Sequence, residues 1–261
     1  GPLKTRFMVR LEKYFFRWFP KVVAVSEPIQ QVLLDSGIPR AATQVVKNGV
    51  SLPEVNLAGA EKSALRAELG LEPNSVCVLN TGRLTRQKSQ ATLIEAVALL
   101  VDQGRNVELL LVGQGPLETG LRSLAAELQL SDRVHLLGFR PDVPRLLALA
   151  DLFALPSLDE GMPISLLEAA AAAKAIVTTD VGDIPKLVQH EQTGLVVPQQ
   201  DPPALAQAMA RLMDDPELSQ NLGQAAQAKM HSEYSSRAMG QSYHAIYQDL
   251  FACRNESRVS P

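Results

Sequence analysis

Between residues 76 and 197 the chain carries six short apolar runs, at 76–81, 107–112, 134–137, 152–155, 175–179 and 195–197. None shows the alternation of apolar and polar residues that marks a strand with one wet face. Continuous runs of this length fit strands buried on both faces. The stretches between them read as amphipathic helices, and that order predicts an α/β fold: a Rossmann-like parallel sheet flanked by helices. In such a fold ligands bind in the loops beyond the C-terminal ends of the strands.

A smaller strand, helix, strand succession comes before this unit. KVVAVS (21–26) reads as a buried strand, Glu27 to Asp35 as a short helix stopped by Gly37, and 43–47 as a second strand closed by Asn48-Gly49. After the last apolar run, TGLVVPQQDPPALAQAM leads into helices that extend to Met230. A final helix is expected over 235–250, followed by a frayed tail from Arg254 to Pro261.

The strand at 152–155 is followed by LPSLDEGMPISLLEAAAAAKAIVTTDVGDI. Pro163 is placed to open a helix, because its missing N–H costs nothing at the first helical position. Glu160 then lies in the loop before the helix and Glu168 about one and a half turns inside it. At about 1.5 Å rise per residue their backbones are roughly 10 Å apart, suited to two parts of one elongated ligand. First-turn N–H groups, with the helix dipole behind them, would face an anion or a sugar hydroxyl.

The first strand of the large unit runs into TGRLTRQKSQ, so Arg83 and Lys88 stand between a strand end and a helix beginning near Ser89. Two cations there suit a diphosphate, Arg offering a planar fork and Lys a mobile point charge. VGQGPLE follows the second strand, and its glycines read as a tight turn bringing backbone near the cleft. His135 reads as a strand residue. Neither it nor His190, His231 or His244 has metal-ligand spacing.

Composition narrows the partners. With 261 residues, 46% of them hydrophobic, the chain can bury one good core and part of a second. A net charge of −3 gives no electrostatic ground for binding nucleic acid. Cys77 and Cys253 make neither a disulfide framework nor a metal site, which fits a reducing compartment. No apolar run reaches the roughly 18 residues of a membrane span, and the N-terminus lacks the apolar core of a signal peptide. A cytoplasmic protein is expected. Residues 4–21 differ from the rest: six Lys or Arg against one acid, and six of the twelve aromatics. This composition suits peripheral contact with the inner face of an anionic membrane, and equally a helix whose aromatics pack on a neighbouring domain.

EGMPISLLEAAAAAKAIVTTDVGDIP resembles the E-x7-E signature of the retaining family 4 glycosyltransferases of GT-B fold, and the resemblance extends from about Val22 to Tyr247. TGRLTRQK matches that family's G-R-L-x-x-x-K phosphate motif, VGQGP its G-x-G-P turn, and LLGFRPDV a turn whose backbone meets the nucleotide base. The resemblance implies a donor-binding set of Gly82, Arg83, Lys88, Gly113, Gly138, Phe139, Arg140, Glu160, Gly161, Met162, Pro163, Ile164, Leu167 and Glu168. Glu168 would take the ribose hydroxyls, Arg83 and Lys88 the diphosphate, and N–H groups of Gly161, Met162 and Ile164 the sugar and phosphate. Glu160 would stand beside the donor sugar, so that Glu160, Arg83 and Lys88 carry the catalysis.

The implied reaction transfers a sugar from a UDP- or GDP-linked donor to a glycan or lipid-linked acceptor. It needs no cofactor and no metal, since no D-x-D pair is present to hold a cation. The implied organisation is a remnant of an N-terminal acceptor domain over 1–52, a donor-binding domain over 53–232, and a crossover helix and tail over 233–261. The family usually has well over a hundred further residues before this region, so the chain by itself is expected to bind donor without transferring sugar. Five positions depart from the family's wording. Ser89, Ala173 and Asp183 stand where glycine is usual, Ala175 where proline is, and Lys186 where an acid is. Ser89 is expected to cap the following helix, and Ala173 and Ala175 to be tolerable packing changes. The alternative readings are a non-catalytic or partner-dependent nucleotide-sugar-binding subunit and a sugar-nucleotide epimerase of the same fold.

Overall fold

A computed structural model describes residues 15, 16, 18–51 and 55–259, with side chains as far as residue 252. The start of the basic aromatic segment, at 4–14, and the expected domain boundary at 52/53 lie outside the described residues. The chain divides into two compact units, one made of the residues up to Gly49 with those from Glu233 onward, the other running from Val50 to Ser232.

In the first unit strand β1 (Val22–Ala24) pairs in parallel with β2 (Thr43–Val45). The helix Glu27–Asp35 connects them, begun by Ser26, whose side chain accepts the N–H of Ile29. Ala24, Leu33 and Ile38 form its small core, with Phe16, Val22 and Ala42 packed around them. The last helix, Ser236–Val259, belongs to this unit and continues through the stretch expected to fray. From Arg254 to Val259 there is no glycine or proline to stop it before Pro261. Trp18 and Phe19 are exposed. Among the described residues no helix is long and apolar enough to cross a membrane.

The second unit is built on six parallel strands: β3 (Val76–Thr81), β4 (Val107–Val112), β5 (Val134–Gly138), β6 (Leu152–Leu155), β7 (Ala175–Thr179) and β8 (Leu195–Val197), in the order β5-β4-β3-β6-β7-β8. All six expected strands are present. Only β5 differs by a residue, reaching Gly138 through a register irregularity beside Leu111 and Val112. Cys77 to Leu79, Leu109 to Leu111 and Phe153 to Leu155 are at most 0% exposed, the double-sided burial that their unbroken apolar wording requires. The helices Gln90–Asp102 and Pro202–Asp214 contribute Leu93, Val97, Leu100, Leu205 and Met209 to one continuous core with the sheet. Strand order reverses between β3 and β6, so the crevice of this sheet lies above the C-terminal ends of those two strands.

Candidate functional site

Five loops meet along that edge in the order set by the strands beneath them: 138–140 after β5, 113–116 after β4, 82–88 after β3, 156–163 after β6 and 180–183 after β7. Every motif singled out in the sequence falls in one of them or in the helix that follows.

The β3 and β6 loops are joined at three points. Leu158 N–H donates to the Gln87 carbonyl at 2.8 Å, Gln87 Nε2 donates to the Asp159 carbonyl at 2.6 Å, and Lys88 Nζ lies 2.5 Å from Glu160 Oε1. The Lys88 and Glu160 side chains are only 15% and 8% exposed, so this pair sits largely out of water. Removing either partner would leave the other charged and poorly solvated. Arg83 differs in being exposed, with no ion-pair partner among the described residues. Its guanidinium is available to a ligand, while its carbonyl accepts from Gln90 Nε2 at 3.0 Å and is thereby fixed.

Close backbone contact explains three of the glycines. A Cβ on Gly113, whose φ is +139°, would stand 2.0 Å from the Gly82 carbonyl oxygen, and one on Gly115 would stand 2.2 Å from that of Leu84. The G-x-G turn therefore seats the β4 loop directly on the β3 loop. Gly182, at φ +55°, does the same for the β7 loop, since its Cβ would meet the Glu160 carbonyl oxygen at 1.6 Å. Asp183 N–H donates to the Gly161 carbonyl at 3.2 Å, and the buried Asp183 carboxylate holds Lys186 Nζ at 3.0 Å. Two of the departures from the family wording, Asp183 and Lys186, thus form an ion pair with each other.

The helix after β6 runs Ile164–Ala171, with Pro163 as its extended N-cap rather than its first residue. At ψ 130° Pro163 still turns its carbonyl inward, where it accepts the N–H groups of Leu166 and Leu167 at 3.1 and 3.3 Å. The N–H groups of Gly161, Met162 and Ile164 donate to none of the described residues. Glu168 lies on the second turn, half-buried and without a hydrogen-bond partner among the described residues. Burial raises its pKa above the ordinary carboxylate value. A carboxylate in that condition gains from any hydroxyl that reaches it.

Other expectations need correcting. Leu167 is 0% exposed, so its side chain belongs to the core and not to the cleft surface. The expectation for Arg140 concerns its backbone and is not touched by its side chain, whose guanidinium makes two 2.7 Å bonds to Asp142 and one of 3.2 Å to Glu68; these anions push its pKa further up. Phe139, beside it, is 73% exposed, after Gly138 in the left-handed region. Ser89 stands at the N-cap position, yet its hydroxyl pairs with that of Thr92 at 2.9 Å and caps no N–H. Both Ser89 and Ala173 have positive φ, 51° and 52°, which shows why glycine suits those two places. Ala173 is a backbone cost more than a packing change.

Sequence reasoning passed over Gln87, Ser157 and Thr179. Ser157 Oγ donates to Glu160 Oε1 at 2.8 Å, and Thr179 Oγ1 donates to the Ser157 carbonyl at 2.5 Å. Single polar residues next to apolar runs give no signal until the neighbouring strands are known.

The sequence profile described as glycosyl transferases group 1 matches residues 61–229. The chain is 32% identical over 247 residues to the amylovoran biosynthesis glycosyltransferase AmsK of Erwinia amylovora, covering 89% of this chain and 57% of that protein. It is 34% identical to the alpha-D-kanosaminyltransferase of Streptomyces kanamyceticus, over 73% of this chain and 50% of the other. The chain thus spans about half the length of these relatives. Among solved structures, Anabaena Alr3699/HepE in complex with UDP and glucose superimposes with a TM-score of 0.80 at 27% identity, over 88% of this chain and 63% of that one. A glycosyltransferase from Rickettsia africae reaches 0.82 at 23% identity, over 92% and 66%, a likeness of fold. With the 82–88 loop, the two spaced glutamates and the six strands all inside the matched region, the chain belongs to the glycosyl transferases group 1 family and has the α/β architecture of the GT-B enzymes.

Proposed function

We propose that residues 50–232 form the donor half of a retaining, family 4 glycosyltransferase that takes a hexose from a nucleoside diphosphate and passes it to a glycan or lipid-linked acceptor. The observation that carries this reading is the joined pair of loops above β3 and β6, where Lys88 and Glu160 meet beside the unpaired N–H groups that precede the Ile164–Ala171 helix. Arg83 and Lys88 hold the diphosphate, Glu168 accepts from the ribose hydroxyls, and the N–H groups of Gly161, Met162 and Ile164 address the sugar and its phosphate. HepE, solved with UDP and glucose, supports a nucleotide sugar as the ligand.

In the transfer step the bond from the anomeric carbon to the diphosphate oxygen breaks, and the acceptor oxygen bonds to the same face of that carbon. The acceptor's proton passes to the departing diphosphate. Arg83, Lys88 and the helix N-terminus stabilise the charge that collects on the diphosphate, and Glu160 steadies the sugar hydroxyls and the positive charge at the anomeric carbon. With that charge already met, the reaction runs without a divalent metal. Calorimetric titration with UDP, GDP, ADP and their sugar conjugates, with and without EDTA, tests the reading. One diphosphate family should bind, its sugar conjugate included, with an affinity unchanged by chelator. Binding of none of them would overturn the assignment, and binding that collapses with EDTA would overturn the metal-free mechanism.

A further inference from the structure

Glu160 has two carboxylate oxygens, and they are in different positions. Oε1 takes both the Lys88 ammonium, at 2.5 Å, and the Ser157 hydroxyl, at 2.8 Å. Oε2 has no partner among the described residues and is the oxygen left for a ligand. Ser157 is fully buried, two residues past the end of β6, and its own carbonyl is held by the hydroxyl of Thr179, the last residue of β7 and equally buried. The Ser157 hydroxyl thus ends on the carboxylate assigned to the sugar, while the Thr179 hydroxyl fixes the backbone that carries it.

The two partners of Oε1 differ in what happens when a donor arrives. Lys88 carries three N–H donors and a charge that a diphosphate attracts, so its bond to Glu160 is shared or lost on binding. Ser157 is sealed beneath the loop and out of reach of the phosphates. We propose that Ser157 is a positioning residue for donor transfer: its hydroxyl holds the Glu160 carboxylate in place, with Oε2 turned to the sugar, after the diphosphate has drawn Lys88 away. This rests on the donor-site reading above. Without that bond the Glu160 carboxylate would be free to swing once its ammonium partner is engaged elsewhere.

The test uses Ser157→Ala and Ser157→Thr in the full chain, with UDP, UDP-glucose, GDP and GDP-mannose titrated calorimetrically. In Ser157→Ala the sugar nucleotide should lose about tenfold in affinity, as for one bond to a charged acceptor, while the matching diphosphate stays within about twofold. Ser157→Thr, which keeps the hydroxyl, should restore the sugar nucleotide. Should the alanine variant fail to fold, Ser157→Cys, similar in size and a weak donor, takes its place. Equal losses for diphosphate and sugar nucleotide, or no loss for either, would overturn the proposal. Failure of the unmutated chain to bind any of the four ligands would instead sink the donor-site reading on which it rests.

Discussion

Lys88 Nζ lies 2.5 Å from Glu160 Oε1 across 72 residues of chain, and it does so because β3 and β6 are neighbours in the sheet. The 82–88 loop and the first of the two spaced glutamates are thereby parts of a single structure. Lys88 neutralises a buried carboxylate and is also assigned to the diphosphate, whereas Arg83 is exposed and assigned to the diphosphate only. Replacing either cation by Ala should weaken a nucleoside diphosphate by about 1.5–3 kcal/mol and leave the nucleoside nearly untouched. Only Lys88→Ala should also lower thermal stability, because it strands Glu160. Calorimetric titration and a melting curve check both statements, and equal weakening of nucleoside and diphosphate would contradict them.

The two glutamates should separate by role. On the proposed assignment, Glu168→Ala removes the acceptor for the ribose hydroxyls and should weaken diphosphate and nucleoside alike. Glu160→Gln should leave diphosphate affinity close to that of the unmutated chain and harm only steps that involve the sugar. Titrating each variant with a diphosphate and its sugar conjugate reads the split directly.

Glu168 also predicts a pH dependence. Burial raises its folded pKa above the ordinary 4.5, so folding favours the protonated acid. The cost of holding it ionised is absent below the unfolded value, grows as pH rises through the interval up to the folded value, and is complete above that. Glu168→Gln should therefore melt at a higher temperature than the unmutated chain at pH 7, with the gap closing as pH falls towards about 4.5. A gap that widens in acid would show that the carboxylate has a stabilising partner.

Ala173 follows the Ile164–Ala171 helix at φ +52°, and its carbonyl is packed close to Gly223. Ala173→Gly removes the left-handed penalty and should stabilise the unit by about 0.5–1 kcal/mol, net of glycine's greater freedom when unfolded. For a unit of this size that is a rise in Tm of about 1–4 °C, measurable by calorimetry. A fall would mean that the alanine methyl makes a packing contribution larger than the strain.

The strands were legible because a strand buried on both faces leaves an unbroken apolar run, and all six appear where such runs stand. The small unit's helix was equally plain, with Ser26 before it and Gly37 after it. Pro163 was misplaced by one residue, since proline's fixed φ suits the N-cap as well as the first turn and its ψ is not written in the sequence. The positive φ of Ser89 and Ala173 was hidden for the same reason: wording records a residue type, not the dihedral imposed on it. Ser157, Gln87 and Thr179 were out of reach because their roles depend on β6 lying between β3 and β7. The engagement of the Arg140 guanidinium was not legible either, because it depends on the approach of Glu68 and the turn at Asp142.

The measurement that bears most directly on the whole account is a crystal structure of the chain with the nucleoside diphosphate that binds it best. The account predicts ribose hydroxyls within about 3 Å of the Glu168 carboxylate and phosphate oxygens against Arg83, Lys88 and the N–H groups before the Ile164–Ala171 helix. A nucleotide bound away from the β3 and β6 loops, or one whose phosphates point away from Lys88 while Glu168 stays unpaired, would contradict it.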